Sequence, residues 1–87
     1  MSYRVEVAPA PEKFLERLRD QSLKRRLIAA MRKLEENPRP PGSLKMQGGS
    51  DLHRVRVGDY RIIYEIRDMV LVVVVVKIGD RRDIDRG

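Results

Sequence analysis

The fold is decided by Val55-Arg56-Val57-Gly58-Asp59-Tyr60-Arg61-Ile62. A Gly-Asp pair between two runs of alternating apolar and charged residues is typical of a β-hairpin with a two-residue turn. Such a turn sets the register, so Arg56 should pair with Arg61 and Val57 with Tyr60. Side chains alternate between the two faces of a sheet. One face of the hairpin is therefore apolar, and the other carries three arginines: Arg54, Arg56 and Arg61.

The arginine face predicts an anionic ligand. Arg56 and Arg61 should face each other across the hairpin, and like charges directly opposite on a sheet are destabilising. An anion bound between them relieves that repulsion, and a phosphate group is the simplest candidate. The formal net charge of +6 favours nucleic acid or another polyanion as partner over a surface that is merely well solvated.

Length and composition exclude several classes of protein. With 87 residues the chain has room for one domain, residues 1–87, with one core. It has no cysteine and one histidine, which excludes disulfides, thiolate metal sites and a histidine-rich metal cluster. We therefore expect neither a metal nor another cofactor. Val70–Val76 is too short to span a bilayer and Met1–Arg4 lacks an apolar signal region, so we expect a soluble cytoplasmic protein without a membrane partner.

The remaining elements follow from apolar periodicity. We predict a strand at 2–7, a helix from Pro11 to about Asp20, a second helix capped by Ser22 that stops at Asn37-Pro38, a loop over 38–49, and strands near 51–57, 60–67 and 70–77. The predicted fold class is α+β in the order β-α-α-β-β-β, with a helical hairpin packed on one face of a mostly antiparallel four-stranded sheet. The opposite face, which carries the arginines, stays open. The uninterrupted apolar run 70–76 is typical of a central strand that is covered on both faces.

The last strand is expected to bring further arginines to the open face. If Asp68-Met69 forms a two-residue turn, Arg61 lies opposite Val76. Residues 79–82, with the sequence Gly-Asp-Arg-Arg, then follow just beyond Arg61. They would place a second arginine pair at that end of the face, Arg81 and Arg82.

Three stretches of the chain resemble one protein family. They are Pro38-Arg39-Pro40-Pro41-Gly42-Ser43-Leu44-Lys45, Leu52-His53-Arg54-Val55-Arg56-Val57-Gly58-Asp59-Tyr60-Arg61-Ile62-Ile63-Tyr64-Glu65 and Lys77-Ile78-Gly79-Asp80-Arg81-Arg82-Asp83. Together with the order of the elements, they resemble the RelE/ParE superfamily of bacterial and archaeal toxins over nearly the whole chain. The resemblance implies a RelE-like microbial RNase fold and a toxin that is paired with a cognate antitoxin.

Two activities occur in this superfamily, and the fold alone does not decide between them. RelE-type toxins enter the ribosomal A site and cleave mRNA there without a metal. The ribose 2′-OH attacks the adjacent phosphate and leaves a cyclic phosphate and a 5′-OH end. ParE-type toxins inhibit DNA gyrase and cleave nothing. The arginines favour the endoribonuclease, whose partners are the mRNA and the ribosome with its 16S rRNA.

The resemblance assigns roles to the basic residues. Arg61 and Arg81 hold the scissile phosphate and stabilise its transition state. Arg54 and Arg56 orient neighbouring phosphates, and Arg56 belongs with the catalytic set. We add further basic side chains as RNA-binding positions beside Arg54, namely Lys45, Lys77 and Arg82.

Two positions depart from the family pattern. Many relatives read Gly-His-Arg-Arg-Asp-Val-Tyr where this chain has residues 79–85, so Asp80 replaces a histidine and Asp85 a tyrosine. Two additional anions beside a phosphate site are expected to repel RNA. Three interpretations stay open. Asp85 acts as the general base that accepts the 2′-OH proton, or both changes weaken or abolish cleavage, or the chain acts by binding alone, as a gyrase inhibitor or as an antitoxin-binding co-repressor.

Other side chains have structural or open interpretations. His53 should pack against Tyr64, and Tyr60 and Tyr64 should belong to the core with hydrogen-bonded hydroxyls. The basic run on the second helix is either a solvated helix face or a surface that docks on ribosomal RNA; it consists of Lys24-Arg25-Arg26 and Arg32-Lys33.

Overall fold

Two helices and a mixed sheet make up the chain in a computed structural model that describes residues 2–46 and 51–80. The elements are β1 (Arg4–Val7), α1 (Pro9–Arg17), α2 (Gln21–Glu36), β2 (Leu44–Lys45), β3 (Leu52–Val57), β4 (Tyr60–Arg67) and β5 (Val72–Asp80). A short 3₁₀ turn, Asp68–Val70, connects β4 to β5. The predicted α+β class and the order of the helices and long strands are confirmed.

The sheet contains one strand more than predicted. Within the described residues its order is β1-β5-β4-β3-β2, with β1 parallel to β5 and all other pairs antiparallel. The additional strand, β2, lies inside the stretch predicted as loop. It consists of Leu44 and Lys45, and two residues are too few to produce a readable alternation. The predicted count of four strands is therefore wrong.

The helix ends show which local signals dominate. The side chain of Asp20 caps α2 by accepting a hydrogen bond from the backbone N–H of Leu23 at 3.0 Å. The predicted cap, Ser22, lies inside the first turn instead. The predicted stop of α2 is confirmed, since Asn37 is its C-cap. α1 begins at Pro9, two residues before the predicted start. Proline suits this position because the N–H of a first helical residue has no partner within the helix, and proline has no N–H to leave unpaired.

No helix in the described ranges is both long and apolar enough to cross a membrane.

The core lies between the helices and one face of the sheet. Leu27, Met31 and Leu34 of α2 are buried against strand residues, and Phe14 and Leu15 of α1 pack on the same cluster. The strand residues of this cluster are Val57, Ile62, Tyr64, Ile66, Val73, Val75 and Ile78. Burying a side chain of this size stabilises a fold by about 1.5–3 kcal/mol. The prediction that both helices cover one face is confirmed.

The register between β4 and β5 differs from the prediction. The connection is not a two-residue turn, because the 3₁₀ turn is followed by Leu71 in the left-handed conformation with φ of +55°. A bulge between Ile63 and Tyr64 shifts the pairing further, so that Arg61 lies opposite Gly79 rather than Val76. The bulge leaves Val76 without a partner on β4. It also reverses the alternation of β5, which lets Val75 and Ile78 both face the helices.

The valine-rich strand is interior but is not the middle strand. β5 has β1 on one edge and β4 on the other, whereas β4 occupies the middle of the sheet. Val73 and Val75 are fully buried under the helices, and Val74 and Val76 are only half-buried. The predicted burial of both faces of β5 is therefore only partly observed. β5 pairs in parallel with β1, and strands in parallel pairs typically read as continuous apolar runs.

Candidate anion-binding site

Three arginines converge on the face of the sheet that points away from the helices. The hairpin register is confirmed, with Arg56 opposite Arg61 and Arg54 opposite Ile63. Their strand neighbours Val57 and Ile62 are buried in the core on the other face. The three arginines line a single cavity of 260 Å³. We call this cavity the arginine pocket, and Gly42 and Leu44 are the other described residues that line it.

The arginine pocket suits a small anion. Its volume lies below the range of about 300–1,000 Å³ that is usual for pockets that bury a drug-sized ligand. No acidic residue is among the described residues that line it. Arg54 and Arg61 are half-buried, and the Nη1 atom of Arg61 is buried. Because burial reduces screening by water and salt, these cations attract an anion more strongly than exposed ones would.

Arg56 differs from the other two arginines because it is exposed and is tethered to the hairpin turn. Its Nε donates a hydrogen bond to the carbonyl oxygen of Gly58 at 3.2 Å. Gly58 has φ of +59°, a conformation that glycine adopts without strain. The turn thus holds the Arg56 side chain at the tip of the hairpin.

One wall of the arginine pocket is a tight turn inside the stretch predicted as loop. The backbone N–H of Ser43 donates to the carbonyl oxygen of Pro40 at 3.0 Å, and Gly42 has φ of +90°. Proline followed by a glycine of positive φ at the two central positions is typical of a type II turn. The Pro41-Gly42 pair was therefore a usable signal. Leu44 pairs with Arg54, which places it on the arginine face.

The loop that carries this turn is anchored at two points. The hydroxyl of Tyr64 donates to the carbonyl oxygen of Pro38 at 2.7 Å. The guanidinium of Arg39 donates to both carboxylate oxygens of Asp68, at 2.9 and 3.3 Å. The hydroxyl of Tyr3 donates to the same carboxylate at 2.6 Å. These partners are 26 to 65 residues apart, so no local pattern could have indicated them.

These contacts also shift the pKa values of the side chains that make them. The hydrogen bond from Arg39, followed by that from Tyr3, holds the pKa of Asp68 below its usual range. The hydrogen bond between Tyr3 and Asp68 raises the pKa of Tyr3. Burial raises the pKa of Tyr64, so that its hydroxyl stays protonated and able to donate to Pro38.

The end of β5 is arranged differently from the prediction. Lys77 lies opposite Ile63 and is exposed on the arginine face. Gly79 lies opposite Arg61. Asp80 lies opposite Tyr60, whose side chain packs in the core. Because paired residues share a face, the ladder position of Asp80 is on the helix side. The predicted position of Asp80 beside the arginines is therefore wrong.

The other predicted site residues are distributed as follows. Lys45 pairs with the buried His53 and so points to the helix-facing side, away from the arginine pocket. Arg81, Arg82 and Asp85 lie outside the described residues. The structure thus brings together Arg54, Arg56, Arg61 and Lys77 on one face and does not bring Lys45 to it.

The aromatic side chains pack against one another and against the core, as predicted. His53 is 8% exposed and its ring stacks on that of Tyr64, with centroids 5.9 Å apart and an interplanar angle of 26°. Tyr64 is fully buried. Tyr60 packs on Phe14 with ring centroids 5.9 Å apart.

Comparisons with known proteins identify the family. A family model that describes the ParE toxin of the type II toxin–antitoxin system parDE matches residues 5–85. The chain belongs to the RelE/ParE superfamily of type II toxins. Archaeal RelE from Pyrococcus horikoshii OT3, solved in its complex with RelB, is 32% identical over 93% of this chain and 97% of its own, with a TM-score of 0.79.

Two further relatives share the fold at lower identity. E. coli RelE, solved as a mutant in the free state, is 22% identical over 98% of this chain and 90% of its own, with a TM-score of 0.80. RelE of the RelBE2 complex from Mycobacterium tuberculosis is 22% identical over 93% of this chain and 100% of its own, with a TM-score of 0.76. No match was found among curated proteins.

Proposed function

We propose that this toxin is a RelE-type endoribonuclease that enters the ribosomal A site and cleaves mRNA there. The observation that carries the proposal is the convergence of Arg54, Arg56 and Arg61 on one small cavity of an otherwise open sheet face. Three cations around one small cavity suit a phosphate group, and a phosphoryl-transfer enzyme gains from them because negative charge increases on the phosphate in the transition state.

The proposed reaction is transesterification at phosphorus. The 2′-oxygen forms a bond to phosphorus while the bond to the 5′-oxygen breaks, which leaves a cyclic phosphate and a 5′-OH. The proton leaves the 2′-oxygen to a base and another returns to the leaving 5′-oxygen. Arg61 and Arg81 hold the non-bridging oxygens, and Arg54 and Arg56 orient the neighbouring phosphates. Arginine is a poor base because it stays protonated, so Asp85 is the proposed acceptor of the 2′-OH proton.

The proposal is tested by primer extension on mRNA in programmed 70S ribosomes. We expect cuts confined to the A-site codon with the unaltered protein, and a loss of those cuts with Arg61→Leu. Arg67→Leu is the matched control, since Arg67 lies on the same strand and face but pairs with Glu65, outside the arginine pocket. Absence of A-site cuts with the unaltered protein would contradict the endoribonuclease assignment.

Inhibition of DNA gyrase is the second candidate. The match to a ParE family model favours it, as does the loss of the family tyrosine at Asp85. A supercoiling assay separates the candidates, because a ParE-like toxin stops gyrase without cutting RNA. If the ribosome assay and the supercoiling assay are both negative and Asp85→Tyr restores mRNA cleavage, the present chain is a weakened nuclease whose remaining role is antitoxin binding and co-repression.

The expected partner in either case is a cognate antitoxin. The solved relatives from Pyrococcus horikoshii and Mycobacterium tuberculosis are toxin–antitoxin complexes. We propose the same pairing for this chain, together with the ribosome and mRNA as partners of the free toxin in the cytoplasm.

A further inference from the structure

Leu44 is a large apolar side chain that the fold leaves in solvent beside the arginine pocket. Its relative exposure is 55%. In the described ranges, Met69 and Val70 are also exposed, and both lie in the turn between β4 and β5. Single exposed apolar residues are normal on protein surfaces, so exposure alone indicates nothing. Leu44 differs from the other two because it lines the cavity that three cations form.

Strand pairing places Leu44 at the end of a row that crosses the arginine face. It pairs with Arg54, Arg54 pairs with Ile63, and Ile63 pairs with Lys77. Neighbouring strands are about 4.8 Å apart, so Leu44 lies about one strand spacing from Arg54 and about 14 Å from Lys77. Within the described residues β2 is the edge strand of the sheet. Leu44 is therefore an apolar border to the cationic part of this face.

The lining of the arginine pocket is chemically divided. Of its five described residues, three are arginines and Gly42 has no side chain, which makes Leu44 the one uncharged side chain among them. No heavy atom lies within 4 Å of the position that a Cβ on Gly42 would take, so the space over the turn beside Leu44 is open. A ligand that uses the whole lining needs an anionic group and an apolar surface next to it.

The backbone around Leu44 is fixed on both sides along the chain. Before it, the N–H of Ser43 donates to the carbonyl oxygen of Pro40 at 3.0 Å. After it, the N–H of Met46 donates to the carbonyl oxygen of Leu52 at 2.8 Å. A contact made from a preformed position costs less ordering when a ligand binds. Leu44 thus offers a prepositioned apolar surface.

A nucleotide matches the divided lining better than a free inorganic anion does. Each nucleotide of RNA joins a phosphate to a flat base, and apolar side chains such as leucine contact bases in nucleic-acid complexes. None of the described residues that line the pocket is aromatic, and Tyr60 and Tyr64 pack in the core. Among the described residues of the pocket, Leu44 is therefore the side chain that suits the face of a base.

We propose that Leu44 packs against the face of a nucleobase while the phosphate of the same nucleotide occupies the arginine pocket. Leucine has no hydrogen-bonding group and cannot read the edges of a base, so the contact accepts all four bases. The inference deepens the proposed endoribonuclease and rests on it for the effect on cleavage. It adds the residue that binds the base and the prediction that this contact is indifferent to sequence.

Binding of small ligands to the full-length chain tests the contact without the ribosome. The probes are inorganic phosphate, ribose 5-phosphate and the four nucleoside 5′-monophosphates, titrated at one salt concentration and followed by NMR. We expect each nucleotide to bind about tenfold more tightly than ribose 5-phosphate, which corresponds to about 1.4 kcal/mol. The four nucleotides should differ among themselves less than any of them differs from ribose 5-phosphate. Equal affinities for the nucleotides and ribose 5-phosphate overturn the base contact.

Variants assign the contact to Leu44. Leu44→Ala should remove most of the difference between AMP and ribose 5-phosphate and leave the affinity for inorganic phosphate unchanged. Leu44→Met keeps an apolar surface of similar size and should retain the difference. Met69→Ala is the matched control, because Met69 is also apolar and exposed but does not line the pocket. An unchanged difference in Leu44→Ala, or an equal loss in Met69→Ala, contradicts the proposal.

The variants should all fold, because both positions are exposed. Thermal unfolding checks this for each of them. The ligand series on the unaltered chain needs no variant, so it decides the base contact even if Leu44→Ala is unfolded.

A double-mutant cycle tests the contact in the reaction. Programmed 70S ribosomes carry mRNA in which one of the two nucleotides that flank the cut is replaced by an abasic ribose. The base removed and Leu44→Ala should be coupled at one of these two positions, so that the variant slows cleavage of intact mRNA but not of the abasic one. The cycle cancels the effect that the missing base has on the ribosome itself. Independent effects at both positions overturn the contact in the reaction.

The outcomes separate the inference from the function on which it rests. If the chain binds AMP through Leu44 but cuts no mRNA, the endoribonuclease is wrong and the base contact stands. If the chain cuts A-site mRNA but binds AMP no better than ribose 5-phosphate, the endoribonuclease stands and the inference is wrong. If neither the nucleotides nor inorganic phosphate bind, the arginine pocket is not a phosphate site and the inference is overturned with it.

Discussion

The hydroxyl of Tyr64 donates a hydrogen bond to the carbonyl oxygen of Pro38 at 2.7 Å, across 26 residues of sequence. Tyr64 is fully buried in the middle strand of the sheet, and Pro38 begins the loop that carries the turn on one side of the arginine pocket. A core tyrosine thus sets the position of a loop that the arginine pocket requires.

Tyr64→Phe should lower the free energy of unfolding. It removes the donor and leaves a buried carbonyl oxygen without this hydrogen bond, which costs about 1–3 kcal/mol. Denaturant unfolding measures the change. Tyr3→Phe is the control, since it removes the same hydroxyl from a hydrogen bond to Asp68 that is exposed and should contribute less. If Tyr3→Phe lowers the free energy of unfolding as much as Tyr64→Phe does, burial of the hydrogen bond to Pro38 is not the reason for the destabilisation.

Asp68 should make stability depend on pH in the acid range. Its pKa is lowered in the folded state, chiefly by the hydrogen bond from Arg39, so the unfolded chain binds the proton more readily. The stabilisation is complete above the unfolded pKa of about 4 and is lost as the pH falls through the lower folded value. The melting temperature should therefore fall less steeply below about pH 4 in Asp68→Asn than in the unaltered chain. Parallel acid profiles of the two proteins would contradict this prediction.

Gly58→Ala should destabilise the hairpin for two separate reasons. A left-handed conformation at a residue with a Cβ costs about 1–2 kcal/mol. The new Cβ would also lie 3.2 Å from the Nη2 atom of Arg26, which must shift by a few tenths of an ångström. Gly42→Ala is the comparison, because Gly42 also has a positive φ but nothing lies within 4 Å of the position that a Cβ would take there.

A double-mutant cycle separates the two effects at Gly58. Arg26→Ala removes the steric contact, so it should recover part of the loss in Gly58→Ala but none of the loss in Gly42→Ala. Denaturant unfolding of the single and double variants gives the coupling. A coupling of zero at Gly58 would mean that Arg26 does not restrict this turn.

Arg61→Lys should slow mRNA cleavage under single-turnover conditions while leaving ribosome binding nearly unchanged. Lysine keeps the charge but loses the planar pair of donors that can hold two phosphate oxygens at once. Loss of one preorganised donor lowers the rate of such reactions about 10²–10³-fold. Arg67→Lys, on the same strand, is the control and should cleave at the unaltered rate. Equal rates for Arg61→Lys and the unaltered chain would show that Arg61 acts only as a charge.

Some features of the site were predictable because they depend on neighbours in the chain. Gly58-Asp59 encodes the hairpin register, and that register alone places Arg54, Arg56 and Arg61 on one face. The burial of His53 and Tyr64 follows from the same alternation. Asn37-Pro38 encodes the end of α2 for an equally local reason, since the residue before a proline avoids the helical conformation.

Other features depend on contacts between distant residues, and no local pattern carries them. The bulge at Val76 moved Gly79 next to Arg61 and placed Asp80 opposite Tyr60, on the helix side of the ladder. The strand β2 forms only because β3 is there to pair with it.

The sequence by itself determined the hairpin, its register and its cationic face, because turn geometry and side-chain alternation act over a few residues. Only the tertiary structure decided that this face becomes a pocket. The loop that forms one wall of the pocket is held in place by two hydrogen-bonded contacts. Tyr64 donates to Pro38, and Asp68 accepts from Arg39, 29 residues away in the sequence. The tertiary structure also decided that Leu44 lies beside Arg54, because β2 forms only where β3 is there to pair with it.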